Sequence, residues 1–541
     1  MVRKIFFSCL LLLPAAIIGL GRLWPPAYWA FIVVGPLLML GLVDVTQKRQ
    51  ALRRVYPIIG HGRYLFESVR PEIQQYFVES NIDGMPFSRE FRAVVYQRAK
   101  GARDTVPFGT QRDVGRIGYE WMTHSLSPCR TPEQEPRVRV GGPDCKQPYL
   151  ASHLNISAMS FGSLSKNAIL ALNLGAKRGG FAHNTGEGGI SPYHIEHGGD
   201  LIWQLGTAYF GCRTEDGRFD PERFAEQAAS PQVKMIEIKL SQGAKPGHGG
   251  ILPAAKITPE IAAIRHVPLG RDVISPAAHP EFSTPRELID FIARLRELSG
   301  GKPIGFKLCI GHRSEFLGIC KAMLETGVAP DFITVDGAEG GTGAAPIELS
   351  NSVGMPLRDG LLFVNSALRG VGLRDRVRVI AAGKIVTGFH MVRTIALGAD
   401  LCNSARAMMF ALGCIQARRC NDNNCPVGIA TQDPGRVQGV VVSDKALRVQ
   451  RYHHDTVEAF LELVASNGLR SPAELRPRNV LQRVDATTIK RFDEIYEYLP
   501  HGCLLDPAEV PDSWRDRWQR ANAGGFGTAP WSLMPPRPPN T

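Results

Sequence analysis

Two uncharged apolar stretches open the chain, Ile5 to Gly21 and Leu23 to Val43, separated only by Arg22. Each is close to the ~20 residues that carry a helix through bilayer hydrocarbon. The segment GRLWPPAYW between them supplies two prolines and the interfacial rings Trp24, Tyr28 and Trp29. The pattern predicts a transmembrane helical hairpin over residues 1–46. Arg3 and Lys4 precede it and Lys48, Arg49, Arg53 and Arg54 follow it, so both ends are expected to stay cytoplasmic. The remaining chain then faces the cytoplasm from the cell membrane. A signal peptide built from the first stretch is the competing reading, ranked second because another apolar run follows at once.

Residues 47–150 form a connecting region of mixed amphipathic segments. RYLFESVRPEIQQYFVES has helical spacing and stops at the turn NIDGMPFS, and FGTQRDVG is expected to be a loop. From 151 onward short apolar runs alternate with helical patterns. The predicted strands are LNISAM, FAHNT, LIWQLG, KMIEIKL, PIGFKL, FITVDG, RVRVIAA and ADLCNSA, with TPRELIDFIARLRELS, SEFLGICKAMLETG and GFHMVRTIALG among the helices. Eight such units over 151–440 favour an α/β fold of the (β/α)8 TIM barrel type over a doubly wound sheet. Residues 441–541 are expected to be a helical extension wrapping the barrel, ending in a disordered APWSLMPPRPPNT.

Composition narrows the partners. With 541 residues, 44% of them hydrophobic, the chain can bury a barrel of about 250 residues together with attachments. Lysine and arginine outnumber acids 63 to 51, a formal charge of +12. That excess suits nucleic acid, an anionic membrane or acidic substrates. No nucleic-acid motif or aromatic-interleaved basic run is present, so a solvated surface with a membrane contribution is preferred and nucleic acid is not expected. Eleven scattered cysteines argue for a reducing compartment. Cys129 and Cys145 lack companions at ligand spacing and are expected to be packing residues.

Cys414, Cys420 and Cys425 lie together in GCIQARRCNDNNCPVGIATQ. Three thiolates suit an iron-sulfur cluster, although the spacing alone fits three ordinary thiols as well. Upstream stand SAMSFGSLSKNAILALNLGAKRGGFAHNTGEGG, IKLSQGAKPGHGGILP and VDGAEGGTGAAP. In this order the four motifs resemble the FMN-binding synthase domain of glutamate synthase, over roughly residues 130–470. The resemblance implies a 3Fe-4S cluster on the three cysteines and FMN at the carboxyl ends of the barrel strands. Gly383 and Lys384 in AAGKIVTG and Ala405 and Arg406 in NSAR would hold its phosphate. Lys384 stands where the family pattern usually has glycine. Ser157, Ala158 and Met159 would lie beside the isoalloxazine, with Gly340 and Gly341 also at the cofactor. Lys307, ending PIGFKL, would stabilise the anionic reduced ring.

The resemblance also implies a 2-oxoglutarate-like dicarboxylate held by Lys239, Lys245 and Arg265, because carboxylates need charge-assisted partners. Glu187 is the matching acidic residue, and Glu187 and Lys245 are the catalytic candidates. Two positions depart from the family: His248 replaces a glutamate and Ile251 replaces a glutamine that touches substrate. Losing a buried amide removes hydrogen bonds and admits a different substrate. Cys9, the cysteine nearest the amino terminus, falls in the first apolar run, so nitrogen is expected from free ammonia or a separate amidotransferase subunit. No G-x-G-x-x-G follows a strand, so electrons are expected from a protein such as ferredoxin. The leading expectation is a membrane-anchored oxidoreductase making L-glutamate from 2-oxoglutarate. Alternatives are an FMN and iron-sulfur oxidoreductase for another amino or hydroxy acid, and a non-catalytic membrane electron-transfer or scaffold subunit.

Overall fold

A computed structural model describes residues 2–527, and the chain falls into two compact units that divide between residues 89 and 90. The expected disordered tail lies outside the described residues. In the first unit, helices Val2–Leu23 and Phe31–Thr46 are joined by a 3-10 turn, Pro25–Ala30. The two 22-residue segments Val2–Leu23 and Pro25–Thr46 have mean hydropathies of 2.1 and 2.0, long and apolar enough to cross a membrane. Glycine permits the close approach of the helices: a Cβ on Gly41 would come within 2.1 Å of the Phe6 ring. The unit does not stop at residue 46. Asp44, fully buried, accepts hydrogen bonds from Arg53 Nε at 2.8 Å and Ile58 N at 2.9 Å, and lies 2.9 Å from His61 Nε2. These contacts tie the following segment to the helix, which is why residues 47–89 belong with the hairpin. Helix Gly60–Ile73 runs on into a π turn, Gln74–Val78.

The second unit is built on eight parallel strands: β1 Leu154–Ile156, β2 His183–Asn184, β3 Leu201–Leu205, β4 Val233–Lys239, β5 Ile304–Leu308, β6 Phe332–Asp336, β7 Arg378–Ala382 and β8 Leu401–Ser404. Each pairs with the next, and β8 closes on β1 with Cys402 opposite Leu154, giving the (β/α)8 barrel. Helices between strands start where the sequence provides caps. Thr284 and Glu287 form a capping box ahead of Pro285–Leu298, and Arg313–Thr326 ends at Gly327 with φ of 71°.

Alternation along the strands sorts the interior into layers. At the amino-terminal end Ile202, Met235, Phe332, Ile380 and Leu401 form an apolar cluster with Val140 and Ala151. The last two come from an antiparallel hairpin, Val138–Val140 with Tyr149–Ala151, which plugs that end. Two residues further along the strands the interior is polar. Glu237 accepts hydrogen bonds from Asn184 at 2.8 Å, Gln204 at 2.6 Å and Thr334 at 2.6 Å. A further two residues along stand Lys239, Lys307 and Asp336, at the carboxyl end where barrel chemistry gathers.

The carboxyl-terminal region is only partly helical, which corrects the expectation for 441–541. Val442–Ser466 is a long helix packed on Lys166–Gly179, where a Cβ on Gly175 would come within 2.9 Å of Ala446 O. Beyond it Pro472 and Pro477 each open a single 3-10 turn, Pro472–Glu474 and Pro477–Asn479. Val480–Arg483 and Ile489–Arg491 are strands, forming an antiparallel sheet with Glu120–Met122. A short helix, Asp512–Arg520, follows.

Candidate active site

Glu187 follows β2 in a glycine-rich loop and rests in a cradle of further glycines. A Cβ on Gly250 would come within 2.4 Å of its Oε1, and one on Gly206 within 2.7 Å of its Cβ. Its partner is Lys239, the last residue of β4, with Nζ 2.8 Å from Glu187 Oε1. Lys245 and Arg265, both buried, stand in the long excursion between β4 and β5. Arg265 Nη2 donates to Phe161 O at 2.7 Å and to Ser160 Oγ at 3.4 Å, while its guanidinium lies 5.1 Å from the Phe210 ring centroid.

The charges condition one another. Burial alone would raise the Glu187 carboxyl, but Lys239, then Lys245 and Arg265, outweigh it and hold Glu187 below the usual carboxylate range. Burial lowers Lys239 against the pull of Glu187. It pushes Lys245 down to about 8 and Arg265 down to about 10, again with Glu187 opposing. An ionised carboxylate among three cations leaves excess positive charge, the complement of an anionic substrate.

Glu187 and Lys239 line a cleft of about 700 Å³, open mouth included, over the carboxyl end of the barrel. The same cleft is lined by Ala158, Met159, Lys307, Gly341, Ala405, Arg406 and Cys420. The structure therefore brings together candidates from seven separate chain segments. Lys307 Nζ lies 3.8 Å from Asp336 Oδ2, which also accepts from Gly243 N at 3.0 Å. Arg406 Nη2 donates to Thr342 O at 3.0 Å. Gly341 lies directly beneath it, and a Cβ there would come within 2.8 Å of Arg406 Nε and displace the guanidinium.

Ser157, Gly340, Gly383, Lys384, Lys245, Arg265, Cys414 and Cys425 are not among the residues lining that cleft. Gly383 and Lys384 lie in the loop after β7, tied to β8 by the hydrogen bond from Ser404 Oγ to Ile385 O at 2.6 Å. Lys384 has φ of 49°, the left-handed conformation glycine adopts without strain. A smaller adjoining pocket of about 270 Å³ shares Glu187 and Lys239 and adds His248, whose Nδ1 lies 2.9 Å from Gly249 O. Ile251 lies on a short strand paired with Val273–Ile274, outside both cavities.

The cysteine segment wraps back to the cleft. Tyr96 donates to Cys414 O at 2.5 Å, and Gln416 N to Cys414 Sγ at 3.5 Å. Burial raises the Cys414 thiol to about 11, and Cys420 and Cys425 add to that rise. Gln416, Arg418 and Asn423 have φ of 58°, 55° and 64°. Three non-glycine residues in the left-handed region within one short loop are costly unless the surroundings fix them. Among the described residues, the one group of three or more candidate ligands whose ligand atoms all lie within 4.8 Å of one another is His454, Asp455 and Glu458, so the cysteines do not converge as a single-ion site would.

Several site features carried no sequence signal. Lys256, buried, donates to Cys420 O at 2.7 Å, Ala430 O at 3.0 Å and Ser163 O at 3.3 Å, joining the cysteine loop to the loop after β1. Gln242 lines the cleft with its amide nitrogen buried and without a partner among the described residues. The Glu237 network draws on four strands. A lone lysine in AAK or an amide in LSQG has no spacing that marks it.

Residues 132–470 match the family model described as a conserved region in glutamate synthase. The glutamate synthase large subunit-like protein YerD of Bacillus subtilis is 35% identical over 508 residues, 86% of this chain and 96% of that protein. The archaeal glutamate synthase [NADPH] of Methanocaldococcus jannaschii is 34% identical over 60% of this chain and 61% of its own length. The glutamate synthase [NADPH] large chain of Bacillus subtilis is 35% identical over 53% of this chain, which spans 18% of that larger protein.

Proposed function

The chain belongs to the glutamate synthase family, and from that premise we propose that it is a membrane-anchored FMN and iron-sulfur oxidoreductase that reductively aminates 2-oxoglutarate to L-glutamate. The observation carrying this reading is the single cleft in which the Glu187–Lys239 pair, Lys307, Arg406 and Cys420 meet. Lys307, Ala405 and Arg406 would hold FMN with Ala158, Met159 and Gly341, and Cys414, Cys420 and Cys425 would hold the 3Fe-4S cluster. When bound, FMN supplies a two-electron hydride donor and the cluster a one-electron path to it.

The protein groups do the rest. Lys239, Lys245 and Arg265 hold the two carboxylates of the substrate. Ammonia replaces the keto oxygen, which leaves as water, and Lys245 Nζ, held near neutrality by burial, gives the proton that departure requires. Glu187, kept ionised by its three cations, stabilises the positive iminium nitrogen that results. Two electrons and a proton then complete L-glutamate. The reaction needs an electron-donor protein such as ferredoxin, and ammonia either free or from an amidotransferase subunit. The two apolar helices, flanked by basic residues, support a hairpin anchor with the barrel on the cytoplasmic side.

His248 in the adjoining pocket, where the family pattern has a glutamate, favours a second reading in which the substrate is another amino or hydroxy acid. Anaerobic titration of the flavin spectrum with 2-oxoglutarate separates the two. Saturable binding is expected, weakened about tenfold or more in Lys245→Met and Arg265→Ala, equivalent to roughly 1.5–3 kcal/mol for each lost charge-assisted bond. Equal responses in the variants and the parent contradict a dicarboxylate pocket, and no response in any of them favours the second reading.

A further inference from the structure

The helix beyond the hairpin carries an apolar face that no described residue of its own unit covers. In Gly60–Ile73 and the π turn Gln74–Val78, residues Leu65, Phe66, Val69, Ile73, Tyr76 and Phe77 recur at helical spacing. At about 100° per residue they occupy one arc of roughly 120°. Leu65, Phe66, Tyr76 and Phe77 are 62%, 69%, 54% and 84% exposed. Such a stripe on a water-facing helix is unfavourable, because apolar area costs about 25 cal/mol for each Å² left in water. Arg63, which pairs with Glu67 at 3.3 Å, and Arg70 stand at one edge of the arc and Glu72 at the other, and Lys48, Arg49 and Arg54 lie in the segment before it.

The start of this helix is fixed close to the end of the second apolar helix. Asp44 lies in the last turn of Phe31–Thr46, is fully buried, and pairs with Arg53 at 2.8 Å and His61 at 2.9 Å. His61 is the second residue of Gly60–Ile73. A chain tied there leaves at the depth where lipid headgroups begin, if the hairpin spans the bilayer. We infer that residues 60–78 lie in the cytoplasmic interface of that same bilayer, with Phe66 and Phe77 in the acyl boundary and Arg63 and Arg70 toward anionic lipid phosphates. A face that is apolar along one arc and basic at its edge has the form of an interfacial helix, and juxtamembrane basic residues are drawn to an anionic leaflet. The inference rests on the hairpin proposed above.

The test uses the full chain in lipid nanodiscs, with the photo-crosslinking residue benzoylphenylalanine placed singly at Leu37, Phe66 or Phe77. Leu37 reports on the hairpin, the other two on the interfacial helix. Expected are lipid adducts at all three positions, with the yield at Phe66 and Phe77 rising several-fold when phosphatidylglycerol replaces a quarter of the phosphatidylcholine. Lipid adducts at Leu37 alone, with protein adducts or none at Phe66 and Phe77, overturn the inference and leave the hairpin standing. Absence of lipid adducts at all three positions overturns both. Equal yields in the two lipid compositions overturn the assignment of Arg63 and Arg70 to anionic headgroups.

Discussion

At the scale of single residues, Lys245 sets the pH dependence expected of the site. Burial lowers it to about 8 while Glu187 opposes, and Lys239 adds a like charge. Only the protonated amine attracts a carboxylate, so 2-oxoglutarate affinity is expected to be flat below about pH 8 and to fall about tenfold per pH unit above it. Stability moves in the opposite direction. The unfolded lysine keeps its proton up to its ordinary value of about 10.5, so the unfolded chain binds more protons between about pH 8 and 10.5 and stability rises with pH through that window. Both bends should vanish in Lys245→Met, read by calorimetric titration and by chemical denaturation across pH. A bend that persists in the variant belongs to another group. Lys245 was legible because it sits in a long motif. Lys256 was not, because its three carbonyl partners are spread from residue 163 to residue 430 and only the folded chain assembles them.

At the scale of elements, the barrel strands were readable as short apolar runs between helical patterns, and all eight stand where those runs fall. The small sheet of Glu120–Met122, Val480–Arg483 and Ile489–Arg491 was not, since its pairing joins segments some 360 residues apart and, Val480 aside, its residues are half-buried or exposed. The polar layer beneath the cleft was equally hidden, although Glu237 sits inside the predicted strand KMIEIKL. Glu237→Leu leaves the buried donors of Asn184, Gln204 and Thr334 unmatched. It is expected to cost about 3–5 kcal/mol in urea denaturation. A loss under about 1 kcal/mol would mean that the layer does not hold the barrel. In the cysteine loop, Cys420→Ser should abolish the cluster signal in electron paramagnetic resonance while flavin remains bound. An unchanged signal would remove Cys420 from the cluster.

At the scale of the whole molecule, the order of four motifs identified the family, and residues 132–470 match its conserved region. The reach of the first compact unit to residue 89 was not legible, because the Asp44 contacts that extend it involve a carboxylate, an arginine, a backbone amide and a histidine with no fixed spacing. The central claim concerns chemistry: a barrel whose cleft joins a cationic dicarboxylate site to a flavin and cluster site makes glutamate. The direct measurement supplies the anaerobic holoprotein with reduced ferredoxin, 15N-ammonia and 2-oxoglutarate, and follows products by mass spectrometry. The account predicts 15N-labelled L-glutamate, formed in proportion to ferredoxin oxidised at two electrons per molecule and lost in Glu187→Gln. No labelled glutamate from protein that carries both cofactors and passes electrons from ferredoxin to flavin would contradict it.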